Sequence, residues 1–457
     1  MNRYPDYKDS GLEWTDEIPA DWRAAPIKHI AIVNRDALSS NTDPYYRLRY
    51  IDIGNVDSEG NVAPPQAHRF EDAPSRARRI VERDDTIVST VRTYLKAVAF
   101  IDGDDTDLIA STGFATLTPS DDIAPKYLYY LMTSQGVVDA VSARSVGVSY
   151  PAINSSDLAD ISVPLPPLDE QRQLAAYLDR KTAEVDTLIR KKQALIARLG
   201  ELRAALIHRA VTKGLDPDVP MKDSGVEWLG EVPEHWDVVR IKHVLTSDKD
   251  ALKTGPFGSQ LKNSDLVESG IKVYTQRHVL DDDFSQGDGY ITEEKFGDLA
   301  GFETFPGDLL ITTRGTIGKC AVLPESAERG ILHPCLIRVQ LDPQKMDTAF
   351  LAWYVQHSAS FRSNVAYNSN ATTIEVIYGG TLRDVYLPAP PLSEQAEILS
   401  YLEETYSRLD HILSREEDLV LRLRELRTSL ISEVVTGKVD VRAEAARLGD
   451  AAEEVVA

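Results

Sequence analysis

Cysteine is almost missing. Cys320 and Cys335 are the only two among 457 residues, too few for a disulfide framework and suited to a reducing compartment. No apolar run approaches the ~20 residues of a membrane span. The opening MNRYPDYKDS has no apolar signal-peptide core, so a cytoplasmic protein is expected. Catalytic signatures are missing too. No GxGxxG follows a strand-like run and no GxSxG elbow occurs. RGTIGKC (314–320) lacks the GxxxxGK[ST] spacing, and Cys320 stands where a magnesium-holding hydroxyl would be. The nine histidines and two cysteines show no metal-ligand spacing, and the acids form no recognisable nuclease or glycosidase pair. No catalytic residue, metal or cofactor is assigned to this chain.

What is present begins with size and charge. The length allows at least two buried cores. The net charge of −22 opposes a strong, nonspecific nucleic-acid binder. The acidity is spread out: residues 1–160 carry 16 Lys+Arg against 25 Asp+Glu, 221–385 carry 16 against 24, 386–457 carry 8 against 15, and 161–220 carry 10 against 8. Local basic surfaces remain possible, as in a protein that reads a few bases while partners supply phosphate contacts.

The chain repeats itself. Residues 7–30, YKDSGLEWTDEIPADWRAAPIKHI, align without a gap to 221–244, MKDSGVEWLGEVPEHWDVVRIKHV, with 12 of 24 positions identical. PPLDEQ (166–171) returns as PPLSEQ (390–395), followed in both copies by ELR, LI and VT. The first repeat is offset by 214 residues and the second by 224, and the inserts between them, roughly 31–160 and 245–384, have diverged. Two frames are shared and two inserts differ.

Each PPL-EQ run opens a long helix. The prolines end an extended segment, Asp169 or Ser393 can cap, and no proline follows Pro167 until Pro217. Apolar positions step by four and three through Leu174, Leu178, Lys181, Val185, Leu188, Lys192, Leu195, Leu199, Leu202 and Leu206, and through Ile398, Leu402, Thr405, Leu409, Ile412, Glu416, Leu419, Leu423, Leu426 and Leu430. That is a coiled-coil seam, and the simplest partner for each helix is the other, antiparallel about a pseudo-two-fold. Lys192 and Glu416, at one repeat position near the middle, are expected to pair and fix register. The inserts read as mixed α/β, with strand-like runs at 86–91, 97–101, 308–313 and 335–341 and helical stretches at 126–134 and 349–358. The Trp14/Trp228 and Trp22/Trp236 pairs are expected to anchor the frame by packing.

The inserts carry groups suited to DNA. In the first these are Arg76, Arg78, Arg79, Arg92, Tyr94 and Lys96, with Ser149 and Tyr150 in GVSYPAIN. In the second they are Lys262, Gln276, Arg277, Arg314 and Lys319, with Asn368 and Asn370 in the NSNATT loop. Guanidinium forks bridge guanine O6 and N7, and amides suit adenine. The plainer reading of any one of them is a solvated surface group or an ion pair.

KDSG-EW…P…W…IKH, the PPL-EQ helix and the ELR…LI…VT ending together resemble the specificity subunit of Type I restriction–modification systems. SYPAINSSDLADISVPLPPLDEQ, PFGSQLK and GDLLITTRGTIG are also similar to that family. The resemblance spans all but about the last fifteen residues and lies in the duplicated order of motifs rather than in any one of them. It implies an α+β fold: target-recognition domain 1 with its frame (1–160), a spacer helix (161–214), target-recognition domain 2 with the repeated frame (215–384), a second spacer helix (385–440) and a tail (441–457). It also implies a non-catalytic subunit that reads a gapped, two-part sequence in double-stranded DNA. Two DNA adenine methyltransferase subunits and restriction/translocase subunits would dock on it, and S-adenosylmethionine, ATP and Mg would belong to those partners. The competing readings are a stand-alone DNA-binding protein and a coiled-coil adaptor without a methyltransferase partner.

Overall fold

A computed structural model gives the fold and describes residues 2–103, 107–147, 150–287, 289–314, 318–368 and 376–447. The chain forms two compact units, one from Met1–Gln193 with Glu417–Ala457 and one from Ala194–Glu416. Two long helices, Leu168–Lys213 and Leu392–Val435, each give one segment to each unit. Every unit therefore holds the start of one long helix and the end of the other.

Each unit also holds two four-stranded sheets. In the first unit one sheet runs Ala31–Val33, Phe114–Pro119, Thr86–Ser89, Val98–Phe100, all antiparallel. The other runs Gln66–Arg69, Arg47–Ile51, Leu108–Ser111, Ala77–Ile80, with its middle pair parallel. The second unit repeats both orders and directions. Its first sheet is Leu252–Thr254, Leu336–Val339, Leu309–Thr312, Cys320–Val322. Its second is Tyr290–Ile291, Ile271–Tyr274, Gly330–Leu332, Glu303–Thr304. Helix pairs Pro125–Thr133 and Gln135–Ala143, or Thr348–His357 and Ala359–Asn368, complete the layers. One mixed α/β fold is used twice, as the order of motifs in the sequence suggests.

The repeated residues are the joints of this fold. In KDSG, the Asp9 and Ser10 side chains accept from the Gly11 and Leu12 amides, both at 2.9 Å, and Asp223 and Ser224 do the same at 2.9 and 3.1 Å. The motif is a side-chain-braced turn. In IKH, Ile27 and Ile241 are buried, while Lys28 pairs with Asp160 at 2.7 Å and Lys242 with Asp384 at 2.8 Å. The glutamine of PPL-EQ is buried in both copies. Gln171 Nε2 donates to the Pro166 and Asp122 carbonyls (2.9 and 3.1 Å), and its Oε1 accepts from the Ala124 amide (2.8 Å). Gln395 ties Pro390, Lys345 and Asp347 in the same way (2.8, 3.3 and 2.8 Å). One amide thus fastens each long helix to the entry of the helix pair in its unit, at Pro125 or Thr348.

Each frame clasps the end of the other repeat's helix. Lys213 and Val435 close the long helices, and Gly214 and Gly437 follow with φ of +73° and +72°, the left-handed turn that glycine makes without a Cβ penalty. A Cβ on Gly437 would lie 3.2 Å from the Trp22 ring, and one on Gly214 3.2 Å from Trp236. Both indoles are fully buried. Tyr7 Oη donates to the Gly437 carbonyl (2.9 Å) and Tyr127 Oη to that of Val435 (3.2 Å). Trp22 and Trp236 do anchor the frame, while Trp14 and Trp228 are half-buried.

Within each unit the helix segments run antiparallel. In the first, Asp186 pairs with Arg427 at 2.8 Å, and Leu174 and Leu178 share a core with Leu430 and Val434. In the second, Asp410 pairs with Arg203 at 3.1 Å, and the Arg203 guanidinium lies 5.0 Å from the Tyr406 ring centre. The seam differs from the expected one at every second position. Burial follows Thr182, Val185, Ile189, Lys192, Ile196, Leu199, Arg203 and Leu206, and Leu409, Leu413, Glu416, Val420, Leu423, Arg427 and Leu430. Leu188, Leu195, Leu202, Ile412, Leu419 and Leu426 are exposed instead. The sequence offers apolar doublets such as Leu188–Ile189 and Ile412–Leu413, so periodicity does not choose between neighbours. The arginine–aspartate pairs do, because Arg203 and Arg427 stand on the seam themselves. Lys192 belongs to the first unit's segment and Glu416 to the second's, both half-buried.

Replacing Gln395 by Glu keeps the shape but removes two N–H donors and sets a carboxylate against two carbonyls. It should destabilise the second unit by about 3 kcal/mol. Urea unfolding followed by tryptophan fluorescence checks this, and an unchanged midpoint would show that the amide is not a joint.

Candidate nucleic-acid interface

In the first unit, strand Thr86–Ser89 ends at Thr90, whose amide and hydroxyl both donate to the Gly113 carbonyl (2.8 and 2.9 Å). The Ile153 amide donates to Thr90 (2.9 Å), and the Arg92 amide to Pro151 (2.7 Å). The loop after the strand is thus sewn to residues 150–153. Thr313 repeats this construction: its amide and hydroxyl donate to Cys335 (both 3.0 Å), and Ile377 donates to it at 2.9 Å. The backbone scaffold is common to both units, and what it displays is not.

In the first unit it displays a short 3-10 turn, Thr93–Leu95, bracketed by Arg92 and Lys96, both left-handed with φ of +53°. Such a conformation costs a non-glycine residue about 1–2 kcal/mol and persists where the surroundings over-determine it. Here Thr93 shares a hydrogen bond with Ser145 (2.9 Å), Lys96 Nζ donates to Gln135 (2.9 Å), and the Arg92 guanidinium lies 4.7 Å from the Tyr150 ring centre. Arg92, Tyr94, Lys96 and Tyr150 therefore share one exposed surface, and Leu95 and Val146 join it. The RARR run is split. Arg76 is exposed at the rim, where its carbonyl accepts from Thr112 (2.8 Å) beside Gly113. Arg78 lies 4.6 Å from the Phe70 ring centre and donates to Ala77. Arg79 is half-buried on the edge strand, and burial lowers its pKa.

In the second unit the structure brings Gln276, Arg277 and Arg314 together. Gln276 Nε2 donates to the Arg314 carbonyl (3.1 Å), and Arg277 Nε reaches Asp281 (3.3 Å). Arg314 is exposed, and its backbone bridges Val376. Lys319 is exposed at the far end of the same strand-to-strand loop. Lys262 is exposed on a separate turn, with its amide on Asp265 (2.8 Å). A cavity of about 170 Å³ is lined by Thr275, Arg277, His278 and His333. Burial holds the His333 pKa below its usual value, so this imidazole is neutral near pH 7. Asn368 ends its helix, and Ser149 and Asn370 lie outside the described residues.

Sequence reasoning missed Leu95, Val146, Phe257 and Tyr378, all exposed. Phe257 is 81% exposed, on the loop whose Gly255 amide donates to Leu336 (2.9 Å), one residue beyond Cys335. Isolated apolar residues in a sequence read as core, so no signal marked Leu95, Val146 or Tyr378, while Phe257 stood within the PFGSQLK stretch without being singled out. The display offers guanidinium forks for guanine, an amide for adenine, and apolar or aromatic groups for thymine methyls and base faces.

Comparison with known proteins identifies the family. Residues 67–198 and 233–420 match the family model of the type I restriction modification DNA specificity domain, and the chain belongs to that family. It is 24% identical over 450 residues to a putative type I restriction enzyme MjaX specificity subunit of Methanocaldococcus jannaschii, covering 95% of this chain and 98% of that one. It is 24% identical over 332 residues to the EcoKI specificity subunit of Escherichia coli K12, covering 71% and 67%. The fold is shared with a chain solved for complex assembly and conformational transition of the type I R-M system (TM-score 0.73, 22% identity, 92% and 99% covered). It is also shared with the HsdS subunit from Thermoanaerobacter tengcongensis (TM-score 0.53, 21% identity, 92% and 98% covered). The chain is thus a DNA-sequence-recognition subunit rather than an adaptor. Among the described residues no helix is long and apolar enough to cross a membrane.

Arg92→Ala and Arg314→Ala should each weaken DNA binding by the assembled complex about 10- to 100-fold, corresponding to about 1–3 kcal/mol. Each loss should be confined to base changes in one half of the target. Titration of targets mutated in either half checks this, and a uniform loss would make the arginine a phosphate contact.

Proposed function

We propose that each unit reads one half of a gapped DNA sequence, and that the paired long helices set the distance between the halves. The observation that carries this is the common scaffold around Thr90 and Thr313 with unlike side chains displayed on it. Two equivalent frames suit two like partners, and these are two DNA adenine methyltransferase subunits, joined by restriction/translocase subunits. Methyl transfer from S-adenosylmethionine and ATP- and Mg-dependent cleavage belong to those partners, and this chain supplies recognition and docking. A net charge of −22 makes the isolated chain a weak DNA binder, so tight binding is a property of the complex.

The test is a methylome. Co-expression with the methyltransferase subunit in a methylation-free host should give modified adenines at one gapped, asymmetric motif, absent without this chain. No new methylation despite a stable complex would refute the reading. Removing one heptad from both helices preserves the offset between paired positions and shortens each helix by about 10 Å. The gap in the methylated motif should shrink with both halves unchanged; altered half-site bases at an unchanged gap would count against the spacer.

A further inference from the structure

The two units differ in what covers the junction between their helix segments. In the first, the chain continues past Gly437 into a helical turn, residues 442–447, that lies over this junction. Val441 is buried and Ala445 packs on the core that holds Tyr177, Leu430 and Val434. Glu444 pairs with Lys181 at 3.6 Å and reaches the Tyr177 hydroxyl. In the second unit the equivalent residues, 224 positions away, are Tyr401, Leu206 and Ala210. There the chain turns off through Leu215 and Pro217. A cavity of about 210 Å³, lined by Leu206, Arg209, Ala210, Leu215, Pro217 and Tyr401, is left, and no described residue fills it. Tyr177 is buried, whereas Tyr401 is half-exposed.

We propose that this groove docks a short amphipathic helix of a methyltransferase subunit, an inference that rests on the function proposed above. The first unit's own cover gives the chemistry of the occupant: an apolar residue, a small residue four positions on, and an acid between them. The charges agree. Arg209 stands at the rim where the twin position is Glu433, and Thr405 replaces Lys181, so the cation that receives the acid has moved to the other helix. The two methyltransferase copies then dock unequally, one on a groove and one on a surface that the chain has already capped.

Native mass spectrometry of the full chain mixed with the methyltransferase subunit tests this. The wild type should bind two copies. Leu215→Asp and Arg209→Glu, both at exposed positions, should keep one copy and bind the second at least tenfold more weakly, with an unchanged far-UV spectrum. Two copies bound undiminished by both variants would overturn the groove and leave the proposed function standing. A wild type that binds fewer than two copies would overturn both. Self-association of the chain that Leu215→Asp abolishes would make a second copy the occupant and overturn the partner assigned here.

Discussion

The antiparallel pairing of the two long helices is the constraint on which the structure depends. Because the helices run in opposite directions, each recognition unit sits on the beginning of one and the end of the other. Glutamine fixes the beginning, through three hydrogen bonds of a buried side chain at Gln171 or Gln395. The end is fixed by an indole against a left-handed glycine, Trp22 on Gly437 or Trp236 on Gly214. The arginine–aspartate pairs set how the segments slide. Asp186 and Arg203 are 17 residues apart, and so are Asp410 and Arg427, so both pairs answer to one register. The Asp186–Arg427 pair is partly shielded, so sliding the register would leave a half-buried carboxylate without its arginine.

The division of labour between frame and insert follows. Residues written twice in the sequence are joints: braced turns, ion-paired lysines, buried amides and indoles. Thr90 and Thr313 extend the same rule into the inserts, where a threonine holds a loop by three backbone-directed bonds while its neighbours change freely. The loop in the first unit carries two strained non-glycine residues, Arg92 and Lys96. Its cations are thereby held out from a chain whose overall charge repels DNA.

Much of this was legible in the sequence because repeats and helical periodicity are local signals. The two helices, the duplicated α/β inserts and the anchoring tryptophans could all be read from spacing. The seam could be read only to within one residue, since Leu188–Ile189 and Leu195–Ile196 satisfy either phase and the choice is made by charges about 240 residues away at Asp186 and Arg427. The exposed loops were legible in their arginines but not in their apolar residues. Phe257 and Leu95 look like core residues until the loops that expose them are known. The splitting of RARR has the same origin, because an edge strand sends Arg78 onto Phe70 and leaves Arg76 at the rim.

The clasp at Gly437 also bears on how the chain folds while it is being made. The first unit is synthesised first, yet Tyr127 waits 308 residues for the Val435 carbonyl, and Tyr7 waits 430 for that of Gly437. The second unit closes as soon as residue 416 has emerged. Chain order and completion order are therefore reversed. The half made earliest keeps Trp22 and the apolar face around Tyr127 uncovered until residues 435–437 have been made, and that interval exposes it most to aggregation and proteolysis.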